Sequence, residues 1–270
     1  MAKRIQWEDL DPALTDAISA RTGPILAGRA VTDGKNSPLA AVVLTRDGGK
    51  VFVKGLPSDH RMVITQAREA AASPLVTGMS PQLLWQFDDA GWNVLGYEYV
   101  DGRSADYRPG SPDIDLIVDL MQTLSTIQVP AGRGPWKPIQ TRLRTYVDDP
   151  ADAAVFAGHA LTHTDWMPDN IIISRGRAWL IDWAWATPAQ SWIDPASWLI
   201  KLIAHGHTIS AAEAIATRLP AYAAADPAHI GAFARANANM WNEIERNHPI
   251  PWATTMASAA RTWAQLRGTP

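Results

Sequence analysis

His163-Thr164-Asp165-Trp166-Met167-Pro168-Asp169-Asn170, continued by Ile171-Ile172-Ile173-Ser174 and then by Trp179-Leu180-Ile181-Asp182-Trp183, is the stretch that decides how this 270-residue chain is read. Two β-prone runs, residues 171–174 and 179–182, flank a turn at Arg175-Gly176-Arg177 and predict a hairpin. Asp165 and Asn170 lie just before it, and Asp182 is placed at the end of its second strand. Phosphoryl transfer to a hydroxyl needs such a set. One carboxylate orients and deprotonates the acceptor, while separate oxygen ligands hold the Mg²⁺ that neutralises the phosphates.

Working outward, the first 100 residues read as a sheet with one helix. The runs at 39–45 and 50–54 surround Arg46-Asp47-Gly48-Gly49, whose Asp-Gly is a tight-turn signal, so an antiparallel pair is expected. Residues 25–31 supply a third strand, followed by a loop of turn-forming residues at 32–38. Residues 59–72 lack Gly and Pro and read as a helix, and 83–87 and 92–100 as two more strands. Beyond residue 110 the texture is helical. Ser111-Pro112-Asp113 is a helix start with Ser as N-cap, and Ile117, Leu120, Met121 and Leu124 share one face. Further helices are expected at 211–219, 229–247 and 256–266. The fold class is α+β.

Composition removes whole classes of function. There is no Cys, which excludes thiol nucleophiles, Cys-ligated zinc, iron–sulfur clusters and disulfides. Residues 1–100 carry 10 basic and 11 acidic side chains and residues 101–270 carry 14 and 16, so neither part is a basic surface and nucleic acid is not the expected partner. Glu8 and Asp9 interrupt the N-terminus before an apolar run builds, and no stretch approaches 18 apolar residues, so a cytoplasmic protein with no membrane partner is expected.

The spacing of Asp165 and Asn170 matches the kinase catalytic loop His-x-Asp-x-x-x-x-Asn, in which the Asp serves the acceptor hydroxyl and the Asn holds metal, and Asp182 stands where the metal-binding Asp follows. These residues resemble the signature of the aminoglycoside phosphotransferase and choline kinase-like family, His-Gly-Asp-Leu-His-Pro-Gly-Asn and then Ile-Asp-Trp. The match is at His163, Asp165, Pro168, Asn170, Ile181, Asp182 and Trp183. The departures are Thr164, Met167, Asp169 and Ala184, none of them at a catalytic or metal position.

The resemblance implies a bilobal protein-kinase-like fold. A nucleotide-binding lobe would span residues 1–100, with a hinge about 97–102, and residues 103–270 would form a helical lobe with the catalytic loop, metal site and acceptor site. ATP or GTP with Mg²⁺ is the implied cofactor, and a small-molecule hydroxyl compound the implied acceptor. Asp165 would be catalytic, with Asn170 and Asp182 as metal ligands. Lys54, ending its strand, would reach the α/β-phosphates and be oriented by Glu69, the only acid between Asp59 and Asp88. Gly34, Asn36 and Ser37 would lie in a phosphate loop, and Glu98, Tyr99 and Val100 at the hinge against the adenine edge. The same template makes His163 a brace for the loop rather than a base.

Of the clustered tryptophans most are expected in the core, with Trp166 and Trp185 as candidates for a wall stacking on an acceptor ring. Asp194 has either an acceptor-site or a loop-bracing role, and Trp241 and Glu243 are candidate acceptor contacts from the helical tail. Aminoglycosides are polycations, and after Asp182 the chain has only Asp194, Glu213, Asp226, Glu243 and Glu245 to meet one. A less cationic acceptor is therefore expected: a sugar, a nucleoside-like compound or an antibiotic with apolar surface. An aminoglycoside resistance kinase proper and a catalytically silent nucleotide-binding module are the alternatives. The chain is expected to be a monomer or a homodimer.

Overall fold

The structure, a computed structural model, describes residues 4–31, 37–129 and 134–268. The chain divides into two units. The first is residues 1–103 together with Trp179–Ala184, and the second is residues 104–178 and 185–270. Residues 179–184 thus group with the N-terminal unit, away from their neighbours in sequence.

The first unit begins with α1 (Pro12–Thr22), capped by the Asp11 carboxylate on the Ala13 amide at 2.8 Å, with Pro12 at its first position. Strands β1 (Ile25–Ala30), β2 (Leu39–Thr45) and β3 (Lys50–Pro57) follow, then α2 (Ile64–Ala72), β4 (Leu83–Asp89) and β5 (Trp92–Glu98). They form one antiparallel sheet in the order β1-β2-β3-β5-β4. The expected hairpin is β2–β3, with Thr45, Asp47 and Gly49 hydrogen-bonded within its turn.

Alternation along the strands sends Leu39, Ala41 and Val43 of β2 and Val51 and Val53 of β3 into a core with Phe87 and Val94, and Leu14 and Ile18 of α1 cover it. Several boundaries differ from the sequence expectation, three of them near the site. β3 runs on to Pro57, so Lys54 is mid-strand; residues before Ile64 form turns rather than helix; and β5 ends at Glu98. Helix α1 was not expected, because only Leu14 and Ile18 of its eleven residues are buried and its apolar period is correspondingly faint.

The second unit contains β6 (Arg103–Ser104), which straddles the division, α3 (Asp113–Leu124), α4 (Ile139–Leu143), β7 (Ala160–Thr162) and β8 (Ile171–Ser174). After the turn at Arg175-Gly176 comes β9 (Arg177–Leu180), within which the chain passes to the first unit, and then β10 (Thr187–Ala189), which pairs antiparallel with β7. Five helices finish the chain: α5 (Ile193–Ala204), α6 (Ile209–Thr217), α7 (Pro220–Ala223), α8 (Pro227–Asn247) and α9 (Pro251–Gly268).

Helix α3 starts one residue later than expected, at Asp113, with Pro112 as the preceding residue; the Ser111 hydroxyl still accepts from the Asp113 amide at 3.2 Å. Helix α5 was not expected. Every residue from Ile193 through Leu202 is buried, including Asp194, Ser197 and Lys201, which recur at helical spacing along one face. Among the described residues no helix is long and apolar enough to cross a membrane.

Candidate active site

In the first unit, Val51 and Val53 face the core, so Lys54 lies on the other face of β3, toward α2. Helix α2 buries Thr65, Glu69 and Ala72 on one stripe, with Gln66 and Arg68 beside them. Lys54 Nζ donates to Glu69 Oε1 at 2.8 Å and to Asp182 Oδ1 at 2.7 Å, with side chains 12%, 3% and 32% exposed for Lys54, Glu69 and Asp182. The Tyr97 hydroxyl donates to Glu69 Oε2 at 3.4 Å.

Burial opposes the Lys54 ammonium, but the charges of Asp182 and Glu69 outweigh it and hold its pKa above the ordinary lysine value. Burial pushes Glu69 up to about 7, against the pull of Lys54. The lysine is therefore a fixed positive charge.

Asp182 lies two residues past the end of β9, with φ +64°, rather than on the strand. Short polar residues tolerate this left-handed backbone better than most. The surrounding segment is tied to the first unit at several points. Leu180 N donates to Met79 O at 2.9 Å, Trp183 Nε1 to Ser80 Oγ at 3.1 Å, and Arg68 Nη1 to Ala184 O at 3.4 Å. These bonds explain why a stretch so late in the sequence folds with the N-terminal sheet.

In the second unit, Asp165 and Asn170 sit on one turn between β7 and β8. Asn170 Nδ2 donates to the Asp165 carbonyl at 2.8 Å and to its Oδ2 at 3.1 Å. His163 is fully buried, and its Nδ1 accepts from the Asp165 amide at 3.3 Å. Asp194, buried at the start of α5, accepts from the His163 amide at 2.9 Å and the Thr164 amide at 2.8 Å. Burial raises its pKa, while these two N–H bonds draw it back. Both Asp194 carboxylate oxygens are thus taken up by backbone amides of the turn that carries Asp165.

The other sequence candidates fall as follows. Trp166 is fully buried, with its ring edge-on to His163 and its carbonyl accepting from Tyr107 Oη at 3.0 Å, so it is no stacking wall. Its apolar bulk fills the core beneath the turn. Trp185 is half-buried and lies under the Arg142 guanidinium, 5.3 Å from the ring centre. Trp241 is buried edge-on against Trp252, while Glu243 is exposed and accepts from Tyr146 Oη at 3.3 Å. Glu98 is exposed at the end of β5, Tyr99 and Val100 are half-buried beside it, and the Tyr99 hydroxyl donates to Asp101 at 3.3 Å. Ser37 is buried, and its carbonyl accepts from Arg4. Gly34 and Asn36 lie outside the described residues.

Sequence reasoning missed Arg142, Ser197 and Lys201, and placed Tyr97 at the hinge without its bond to Glu69. Lys201 Nζ is buried and donates to Ser197 Oγ at 2.8 Å. Burial pushes it down to about 8, with Arg142 adding to the fall and Asp165 and Asp194 resisting it. Between about pH 8 and the ordinary 10.5 the unfolded chain holds this proton and the folded chain does not, so folding gains stability as pH rises through that window. Relative to Lys201→Met, the native protein should gain on the order of 2 kcal/mol between pH 7 and pH 10.5 in urea unfolding. A difference that does not change with pH would contradict it.

Comparison by sequence finds no matching family model and no matching curated protein. Comparison by structure finds many neighbours. Choline kinase LicA from Streptococcus pneumoniae is 16% identical, covers 94% of this chain and 98% of its own, and has a TM-score of 0.66. A thermostable mutant of aminoglycoside phosphotransferase APH(4)-Ia, in ternary complex with AMP-PNP and hygromycin B, is 13% identical over 96% of this chain and 99% of its own, with a TM-score of 0.66. Ethanolamine kinase from Plasmodium vivax is 12% identical over 90% and 82%, with a TM-score of 0.59. The chain has the protein-kinase-like α+β fold that choline kinases and aminoglycoside phosphotransferases share, as its His163–Asn170 and Ile181–Trp183 motifs had suggested.

Proposed function

We propose that the chain is a small-molecule phosphotransferase, moving the γ-phosphoryl group of ATP directly to a hydroxyl. The observation that carries this reading is the fixed triad of Lys54, Glu69 and Asp182, since a lysine held between two buried or half-buried carboxylates is built to meet phosphate oxygens. Asp165 would orient the acceptor hydroxyl and take its proton. Asn170 and Asp182 would supply oxygen ligands for Mg²⁺. One amide and one carboxylate suit this ion, which usually binds through one or two protein groups and completes its shell with phosphate oxygens and water. Bound there, the ion would neutralise charge on the transferring phosphates.

The acceptor is read as a weakly cationic or neutral hydroxyl compound. Of the five acids after Asp182, Asp194 is engaged by the His163 and Thr164 amides and Glu213 by Arg267 and Trp263. Glu245 is engaged by Arg261, and Asp226 caps α8. These acids are committed to the fold, which leaves a polyamine sugar little carboxylate to bind.

The test is a Mg·ATP consumption screen over hydroxylated metabolites and antibiotics, with mass spectrometry for the gain of one phosphoryl group. Transfer to a neutral hydroxyl compound is expected. Equal or faster turnover of aminoglycosides would overturn the acceptor reading. Clean Mg·ATP binding with no transfer across a broad library would favour the silent nucleotide-binding module.

A further inference from the structure

Thr164 has a backbone that its side chain disfavours. Its φ is +66°, in the left-handed region, where a β-branched residue is a steric outlier and glycine is at ease. In the signature that the sequence resembles, this position is glycine. The conformation is nevertheless held by every polar group the residue has. Its amide donates to Asp194 Oδ1 at 2.8 Å, and its carbonyl accepts from Ser197 Oγ at 3.0 Å, which itself accepts from the buried Lys201 ammonium. Its hydroxyl accepts from Arg142 Nη1 at 3.0 Å and donates to the Trp185 carbonyl at 3.2 Å. Arg142 Nη1 also donates to that carbonyl at 2.9 Å, which closes a triangle of hydrogen bonds, and the guanidinium is stacked over the Trp185 ring.

We propose that Thr164 is a positioning residue, whose hydroxyl ties the left-handed turn carrying Asp165 to Arg142 of α4 and to the Trp185 carbonyl and so fixes the direction of the Asp165 carboxylate. Glycine would satisfy the backbone at this position but would supply no hydroxyl. The chain accepts a disfavoured conformation, and what it obtains is a covalently adjacent anchor for the next residue. Strain held in place by surrounding bonds is most often found beside a functional group. Arg142 is part of the same device, since the triangle opens if either side chain is shortened. The role assigned to Asp165 rests on the phosphotransferase reading; the rigidity of the turn does not.

The experiment compares Thr164→Ser, Thr164→Gly, Thr164→Val and Arg142→Gln in the full chain. Two readouts are taken: hydrogen exchange of the 163–166 amides by mass spectrometry, and steady-state Mg·ATP turnover with the best acceptor from the screen or, failing one, with water. Thr164→Ser keeps the hydroxyl and should match the native protein within about 2-fold in both. Thr164→Gly should melt no earlier than the native protein, because the backbone strain is relieved, yet its 163–166 amides should exchange at least about 10-fold faster. Its kcat should fall by at least about 10-fold with KM for ATP unchanged.

Thr164→Val and Arg142→Gln should show the same faster exchange and lower kcat as Thr164→Gly, and combining Arg142→Gln with Thr164→Gly should add little, as expected of side chains acting through one contact. A Thr164→Gly protein with native exchange and native kcat overturns the proposal. So does equal loss in Thr164→Ser and Thr164→Gly, because the hydroxyl would then not be the group that matters. If the native protein turns over no Mg·ATP, the phosphotransferase reading fails, and the exchange comparison alone decides whether Thr164 fixes the turn.

Discussion

Asp165→Ala should lower kcat by at least about 100-fold while leaving Mg·ATP affinity within a few-fold of native. A positioned proton acceptor typically contributes 10²- to 10⁴-fold. The fold should survive the change. Asn170 keeps its 2.8 Å bond to the residue-165 carbonyl, His163 keeps the residue-165 amide at 3.3 Å, and Asp194 still holds the two preceding amides. A fall in kcat with KM for ATP and melting temperature unchanged marks an interaction made in the transition state. An unchanged kcat would remove Asp165 from the chemistry.

Asp182→Ala should have the opposite signature. Its carboxylate is both the 2.7 Å partner of Lys54 and the metal ligand proposed above, so its loss should abolish Mg²⁺-dependent nucleotide binding and turnover together. Structural damage should be limited. Lys54 keeps Glu69 at 2.8 Å, so no buried charge is stranded, and Asp182 is one-third exposed. Alanine at φ +64° is less comfortable than Asp, and Asp182→Gly separates backbone strain from the lost carboxylate. Both variants should lose binding, whereas recovery in the glycine variant would point to strain alone.

The parts of this molecule legible in its sequence are those in which neighbours in sequence act together. Asp165 and Asn170 are five residues apart on one turn, and the β2–β3 hairpin is announced by its own Asp-Gly turn. Glu69 was found because it is the one acid on its helix, and the structure puts it at hydrogen-bonding distance from Lys54.

What the sequence concealed depends on distance or on burial. Arg142 reaches Thr164 across 22 residues and Trp185 across 43, with no local pattern to mark it. Ser197 and Lys201 share one face of α5 with Asp194, yet all three are buried, and only the structure shows that this polar stripe faces the 163–164 turn rather than solvent. Sequence left Trp166 a candidate for both core and aromatic wall because ring chemistry is the same in a pocket and in a core; its complete burial separates the two. The segment carrying Asp182 belongs with the N-terminal unit through bonds of its neighbours Leu180, Trp183 and Ala184 to Met79, Ser80 and Arg68, none of which the spacing of the motif encodes.

Calorimetric titration of ATP into the native protein, Asp182→Ala and Asp165→Ala, each with and without Mg²⁺, tests the account most directly. Saturable, Mg²⁺-dependent binding is predicted for the native protein and Asp165→Ala and none for Asp182→Ala. Native-like Mg·ATP binding by Asp182→Ala, or no binding by the native protein, would contradict it.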